Sequence, residues 1–233
     1  MIKNNKILLS LSLLFLLAEM QLGYIIQTSK DPYNTQFFAI ALACVFCFLF
    51  IEKSKSYIFT QIALIFTVCA DFFLVFPDRQ KQLLGMIFFL QTQMAYFLRI
   101  YFEENNRKIR KIHLITRASA SVIMVLATCV VLGAKTDALS LVSIFYYTNL
   151  ILNVIFSFLI FKKAYILATG LVLFAICDMF IGFANIGPYM NISASSLIYK
   201  LLHSEINIAW AFYIPSQMLL AISLLPIKTK KRV

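Results

Sequence analysis

Charge is what this chain has least of. Asp, Glu, Lys and Arg make up 13% of its 233 residues, about half the share a soluble domain carries. So few charged residues cannot cover a surface with polar groups, which excludes a water-soluble globule. Glycine is scarce as well, at six residues, and no short alternating strands punctuate the chain, which argues against a transmembrane β-barrel. The two histidines, His113 and His203, stand far apart, at a span start and in a loop, so a histidine-clustered metal centre is not expected. There is no P-loop, GxSxG or HExxH pattern, and no cofactor or metal is implied. The five cysteines, Cys44, Cys47, Cys69, Cys129 and Cys177, are odd in number and all lie in apolar runs, which argues against a disulfide framework. Cys44 and Cys47 have CxxC spacing without a second pair or nearby histidine, and read as small lipid-compatible residues.

What the chain does have is apolar length. Hydrophobic residues make up 61% of it and the mean hydropathy is +0.85. Continuous apolar runs point to helices, which satisfy their own backbone in lipid. The expected fold is all-α, a polytopic membrane helix bundle forming a single integral membrane domain over 1–233. About eight spans are predicted, near 7–26, 36–51, 57–76, 83–102, 112–132, 139–161, 165–185 and 208–225. The first could pass for a signal peptide, but it contains Glu19 and lacks a small-x-small cleavage site, so it is kept as a span.

The net charge is +11. In such a chain basic residues set topology and meet anionic lipid headgroups, so membrane lipids are the expected contacts and nucleic acid is not. Fourteen Lys and Arg fall at the termini and in the even loops, among them Lys53, Arg107, Lys111 and Lys162. Five fall in the odd loops: Lys30, Arg79, Lys81, Lys135 and Lys200. The positive-inside rule then predicts cytoplasmic termini, in the inner membrane if the cell is bacterial.

Against this apolar background two aspartates stand out. Asp71 lies in LIFTVCADFFLVF and Asp178 in LVLFAICDMFIGF. Laid over each other without gaps, the segments share the leading Leu, the Asp, the Phe two residues on and the last Phe. A carboxylate in hydrocarbon costs several kcal/mol unless neutralised, so it marks a functional site more often than a packing one. Both spans run outward in the predicted topology, which puts both acids in the outer half and makes the repeat parallel rather than inverted. Other polar groups fall at membrane depth: Glu19, Gln91, Gln93, Tyr96, Asn149, Asn153, Tyr213 and Gln217. Asn149 with Asn153 and Tyr213 with Gln217 are four apart, and Gln93 with Tyr96 three apart, so each pair shares a helix face. Simple interhelical hydrogen bonding, worth about 0.6 kcal/mol per contact, is the competing explanation for any one of them. The segment 186–208 is long for a helix connection, and Leu197, Ile198, Leu201 and Leu202 have the spacing of an interfacial helix, a candidate lid on the side of the two aspartates. A sequon at Asn191 is expected to face outside.

These residues resemble the YhhN-like lysoplasmalogenase family of eight-span membrane proteins. ALIFTVCADFFLVF followed by GMIFFLQTQMAYF fits its first acidic signature through Asp71, Gly85, Met86 and Tyr96. GLVLFAICD fits a later one through Gly170 and Asp178, and YIPSQMLLAIS fits the last-helix pattern through Tyr213, Gln217 and Ser223. The chain departs from the pattern at Ala70, at Cys177, and at Thr92-Gln93, where the family has Ala-His. The resemblance implies hydrolysis of the vinyl ether bond of a lysophospholipid, the lysoplasmalogen, to a fatty aldehyde and a glycerophospho-base. In that frame Asp71 and Asp178 form the catalytic acid pair, while Gln93, Tyr96, Asn153, Tyr213, Gln217 and Glu19 bind substrate or water. Gln93 cannot titrate as a histidine does, so a non-catalytic lipid-binding relative stays open. So does a transporter or lipid carrier, which would also use paired intramembrane acids on a parallel repeat.

Overall fold

The computed structural model describes residues 5–49, 55–76, 81–160, 165–187, 189, 193 and 195–224. Lys3, Lys53, Arg79, Lys162, Lys163, the basic tail after 224 and the sequon asparagine Asn191 lie outside the described residues. Among the described residues the elements are helices: α1 Asn5–Thr28, α2 Tyr33–Cys47, α3 Lys55–Leu74, α4 Gln82–Glu103, α5 Arg107–Leu132, α6 Ala138–Ile160, α7 Tyr165–Asn185, α8 Leu197–Leu202 and α9 Ile208–Ile222. The protein is an all-α polytopic bundle. Six helices, α1 and α3 to α7, are long and apolar enough to cross a membrane. The predicted second and eighth spans are helices too, but with 15 residues each they extend only about 22 Å, against a hydrocarbon core of about 30 Å. The second helix occupies Tyr33–Cys47 rather than the predicted 36–51.

Local chemistry fixes the helix ends. Asn106 starts α5 by accepting from the Lys108 N–H at 2.9 Å, and Gly133 follows its C-terminus at φ 53°, a conformation glycine adopts without strain. The Ser196 hydroxyl accepts from the Tyr199 N–H at 3.1 Å and starts α8, the short helix predicted from the leucine spacing. Pro215 lies inside α9, which continues through it.

Six helices close a ring, in the order α2, α3, α4, α6, α7, α9 and back to α2, with α1 outside against α2 and α9 and α5 outside against α6. Leu9, Leu13 and Leu17 of α1 and Val122, Leu126 and Val130 of α5 are exposed, as expected for surfaces solvated by lipid.

Shifting every helix by four spans maps these neighbours onto one another, and specific contacts repeat. The Thr92 hydroxyl of α4 donates to the Ala63 carbonyl of α3 at 3.3 Å, and the Ser216 hydroxyl of α9 donates to the Gly170 carbonyl of α7 at 2.9 Å. Phe73 stacks on Phe88 at 5.8 Å, and Phe180 on Phe212 at 6.2 Å. Phe15 of α1 stacks on Phe46 of α2 at 4.0 Å, and His113 of α5 on Phe156 of α6 at 3.7 Å. The Cys47 thiol donates to the Cys44 carbonyl, and the Ser157 hydroxyl to the Val154 carbonyl. The parallel repeat suggested by the two aspartate segments therefore extends through all four helices of each half. Under the same equivalence Asp71 answers to Asp178, Phe89 to Tyr213, Gln93 to Gln217, Ala43 to Asn153 and Glu19 to Arg117.

Gly85 lets α4 approach α3. A Cβ there would come within 2.5 Å of Leu74 Cγ, whereas one at Gly182 would meet nothing within 4 Å. Gly85→Ala should therefore lose about 1–3 kcal/mol by overpacking, while Gly182→Ala should be neutral or gain about 0.5–1 kcal/mol from helix propensity. Thermal unfolding of the two variants in detergent checks this, and equal melting temperatures would refute the close α3–α4 approach.

Candidate functional site

The site is built from the repeated hairpins. In α3, Asp71 lies eight residues beyond Ala63, and in α7 Asp178 lies eight beyond Gly170. Eight residues make just over two helical turns, so each acid leaves the same face as the small residue that receives the hydroxyl bond. Both acids thus come to the same end of the ring, the end carrying the turns after α3 and α7.

Each carboxyl is held by a tyrosine from another helix. Tyr213 of α9 donates its hydroxyl to Asp71 Oδ2 at 2.7 Å, and Tyr146 of α6 donates to Asp178 Oδ2. Asp71 is 3% exposed, whereas Asp178 is partly exposed. Tyr146, Tyr213 and Cys177 each lie within electrostatic range of both carboxyls. The walls between them are aromatic. Phe89 lies 5.8 Å from both Tyr146 and Phe174, and Phe174 lies 5.5 Å from Tyr213. The result is a low-dielectric aromatic cluster around two carboxyls and two hydroxyls.

A cavity of about 390 Å³ lies between α7, α8 and α9, lined by residues that include Phe180 and Ile181 of α7, Leu201 of α8 and Trp210 of α9. Trp210 packs edge-on against Tyr213 at 5.2 Å, and Phe180 follows Asp178 by two residues. The segment that the sequence suggested as a lid thus forms one wall of a recess whose Trp210 touches the tyrosine that bonds Asp71.

One helical turn further along α4 lies a second polar layer. Arg117 of α5 donates to Asn149 Oδ1 and, at 2.7 Å, to Asn153 Oδ1. Its guanidinium sits 4.3 Å from the centre of the Phe97 ring and contacts His113 at 3.2 Å. Asn153 Nδ2 donates in turn to Gln93 Oε1 at 3.0 Å. Arginine has no acceptor, so the direction of this chain is fixed. Asn153 must offer its oxygen to Arg117 and its amide nitrogen to Gln93, which leaves Gln93 Nε2 as a donor without a partner among the described residues. At the opposite end of α4, buried Arg99 donates to Thr60 at 2.8 Å and to the Ser223 hydroxyl at 2.8 Å, joining α3, α4 and the end of α9.

Of the residues expected to bind substrate, Tyr213 touches an acid directly. Gln93 and Asn153 belong to the second layer, and Gln217 lies one turn from Tyr213. Tyr96 lies one turn past Gln93, within electrostatic range of Arg99 and Cys47. Glu19 lies on α1, outside the ring. Tyr146, Arg117, Arg99 and the burial of His113 were not anticipated. The two arginines were legible, because a charge inside a span is as notable when positive as when negative. Nothing in the pattern of α6 singles out Tyr146.

Asn153→Leu should leave the Arg117 guanidinium and the Gln93 carbonyl short of partners and lower stability by about 1.5–3 kcal/mol. Thermal unfolding in detergent reads this loss, and a variant as stable as the parent would show that the network carries no energy.

A family model described as the YhhN family matches residues 31–224, and the chain belongs to that family. No curated protein and no solved structure matches it.

Proposed function

We propose that the protein is a membrane hydrolase that cleaves the vinyl ether bond of a lysoplasmalogen, releasing a fatty aldehyde and a glycerophospho-base. The observation that carries this reading is the pair of carboxyls at repeat-equivalent positions, each hydrogen-bonded by a tyrosine among packed aromatic rings. Membership of the YhhN family supports it.

The chemistry suits the arrangement. One carboxyl protonates the β-carbon of the vinyl ether, so that a C–H bond forms from the double bond and an oxocarbenium ion results. The other carboxyl, ionised, lies beside that cation. Water adds to the cationic carbon and returns a proton to the pair. The hemiacetal then collapses, its C–O bond breaking to give aldehyde and a glycerol hydroxyl. Aromatic surroundings strengthen the attraction between carboxylate and cation by excluding bulk water. Tyr146 and Tyr213 orient the carboxyls, and the Gln93 amide offers a donor to substrate oxygen or water. Hydrogen bonding is a role that glutamine fills as well as histidine.

The lipid tail lies between helices, and the headgroup sits in the recess lined by Trp210 and Leu201. The excess of Lys and Arg at the termini and in the even loops supports cytoplasmic termini and an outward-facing recess. A carrier would be favoured by helices broken near mid-membrane. α9, with Pro215 inside it, is continuous, so this feature does not support one.

Protein in liposomes should release aldehyde from lysoplasmalogen, and Asp71→Asn and Asp178→Asn should each lower the rate by about 100-fold or more while melting like the parent. Tyr146→Phe and Tyr213→Phe should give smaller losses. Full activity in both aspartate variants would sink the mechanism. Binding without turnover in the parent would mean a non-catalytic relative, and lipid flux without cleavage a carrier.

A further inference from the structure

The polar slot formed by Arg117, Asn153 and Gln93 has a counterpart in the other half, made of Glu19, Ala43 and Gln217. The register supports the match. The Phe15–Phe46 stack brings Glu19, one turn further along α1, level with Ala43, about one turn back along α2. At the end of α1, Gln27 donates to the Asn207 carbonyl at 3.0 Å and accepts from the Asn207 N–H at 2.8 Å. A Cβ at Gly23 would lie 3.9 Å from Ile214 Cγ2, so this turn of α1 packs beside Ile214 of α9. Glu19, one turn before Gly23, therefore comes level with the turn of α9 that carries Gln217. Glu19 and Gln217 are each 1% exposed and Ala43 is fully buried. Glu19 Oε1, Gln217 Oε1 and Gln217 Nε2 have no hydrogen-bond partner among the described residues.

The difference between the halves is one side chain. Asn153 bridges Arg117 to Gln93 with its carboxamide, and Ala43 stands in its place without one. A carboxamide occupies about the volume of a water molecule, and a buried water needs two to four polar partners. The slot offers three, both donor and acceptor. We infer that Glu19 and Gln217, across Ala43, form a buried binding site for a single water molecule, the counterpart of the Asn153 amide. This assigns the two residues to water rather than to lipid. Gln217 lies one helical turn from Tyr213, the residue that bonds Asp71. On the hydrolase reading above, on which this role alone rests, the site holds the water that hydrolysis consumes.

Two substitutions of similar size separate the alternatives. Ala43→Asn supplies the missing amide and Ala43→Leu supplies only bulk. If the slot is polar and water-sized, Ala43→Asn melts about 2–4 °C above Ala43→Leu in detergent. An asparagine variant no more stable than the leucine variant overturns the site. Should neither variant fold, infrared spectroscopy of the parent decides. The carboxyl band that disappears in Glu19→Gln should show a hydrogen-bonded group that responds to exchange of the solvent water, and a free, unresponsive carboxyl overturns the site. The catalytic role has its own readout. Ala43→Asn should slow aldehyde release relative to the parent although the protein is folded. If the parent releases no aldehyde the hydrolase reading fails, while the melting comparison still decides the water site.

Discussion

Two hydroxyl-to-carbonyl hydrogen bonds, from Thr92 to Ala63 and from Ser216 to Gly170, set the geometry from which the site follows. Lipid tails are as apolar as leucine, so helices in a membrane gain little from burying apolar surface against one another. Close packing and polar contacts must draw them together. Each of these bonds needs a small residue on the accepting helix, and Ala63 and Gly170 provide it. Gly85 allows the same closeness further along α3, where a Cβ would press into Leu74. With both hairpins tight, the Phe73–Phe88 and Phe180–Phe212 stacks form at the same end, and the two acids arrive level with each other.

The duplication is strict in the scaffold and broken at the acids. Tyr213, which bonds Asp71, answers to Phe89 in the first half, and Phe89 has no hydroxyl to return to Asp178. Tyr146 of α6 bonds Asp178 instead, and its counterpart in α2 is Gln36. The carboxyls therefore differ in the helix that supplies their donor and in exposure, Asp71 being buried and Asp178 partly exposed. A symmetric pair would present two interchangeable acids. The proposed acid and counter-charge must be distinguishable, and the difference available to them lies in their surroundings rather than in residue type.

Helix positions, the class of the bundle and the two acids could be read from apolar length and from the cost of charge in lipid. Part of the duplication was visible in the aspartate segments. More was written in the chain, since VFCFLF at 45–50 parallels IFSFLI at 155–160, and FFLQTQM at 88–94 parallels FYIPSQM at 212–218. Those matches become convincing once hydrogen bonds and ring stacks repeat with them. Arg99 and Arg117 also lie inside spans, but basic residues in a membrane chain report first on topology, a property of its loops. Tyr146 and the path from Arg117 to Gln93 depend on which helices are neighbours in the ring. Periodicity within a helix reports which face is apolar but not which helix it meets, so the pairing of α6 with α4 and α7 could not be deduced from it.

The two polar slots flanking the ring carry opposite charge types at equivalent positions, Arg117 beside α6 and Glu19 beside α2. Asn149 and Asn153 meet the two terminal nitrogens of the guanidinium with neutral dipoles, leave its Nε without a partner among the described residues and do not cancel its charge, so its energetic justification cannot be a local ion pair. What the asparagines accomplish is direction. An arginine can only donate, and this makes each amide after it point one way, ending in the Gln93 donor. Glu19 has no asparagine beside it and imposes no such direction, because a carboxyl can accept or donate according to its proton and the Gln217 amide offers both groups. The same duplicated slot thus gives a fixed donor on one side of the ring and an adaptable polar group on the other. The proposed hydrolase would have use for both, one to orient an oxygen that stays in place and one to hold the water that is consumed.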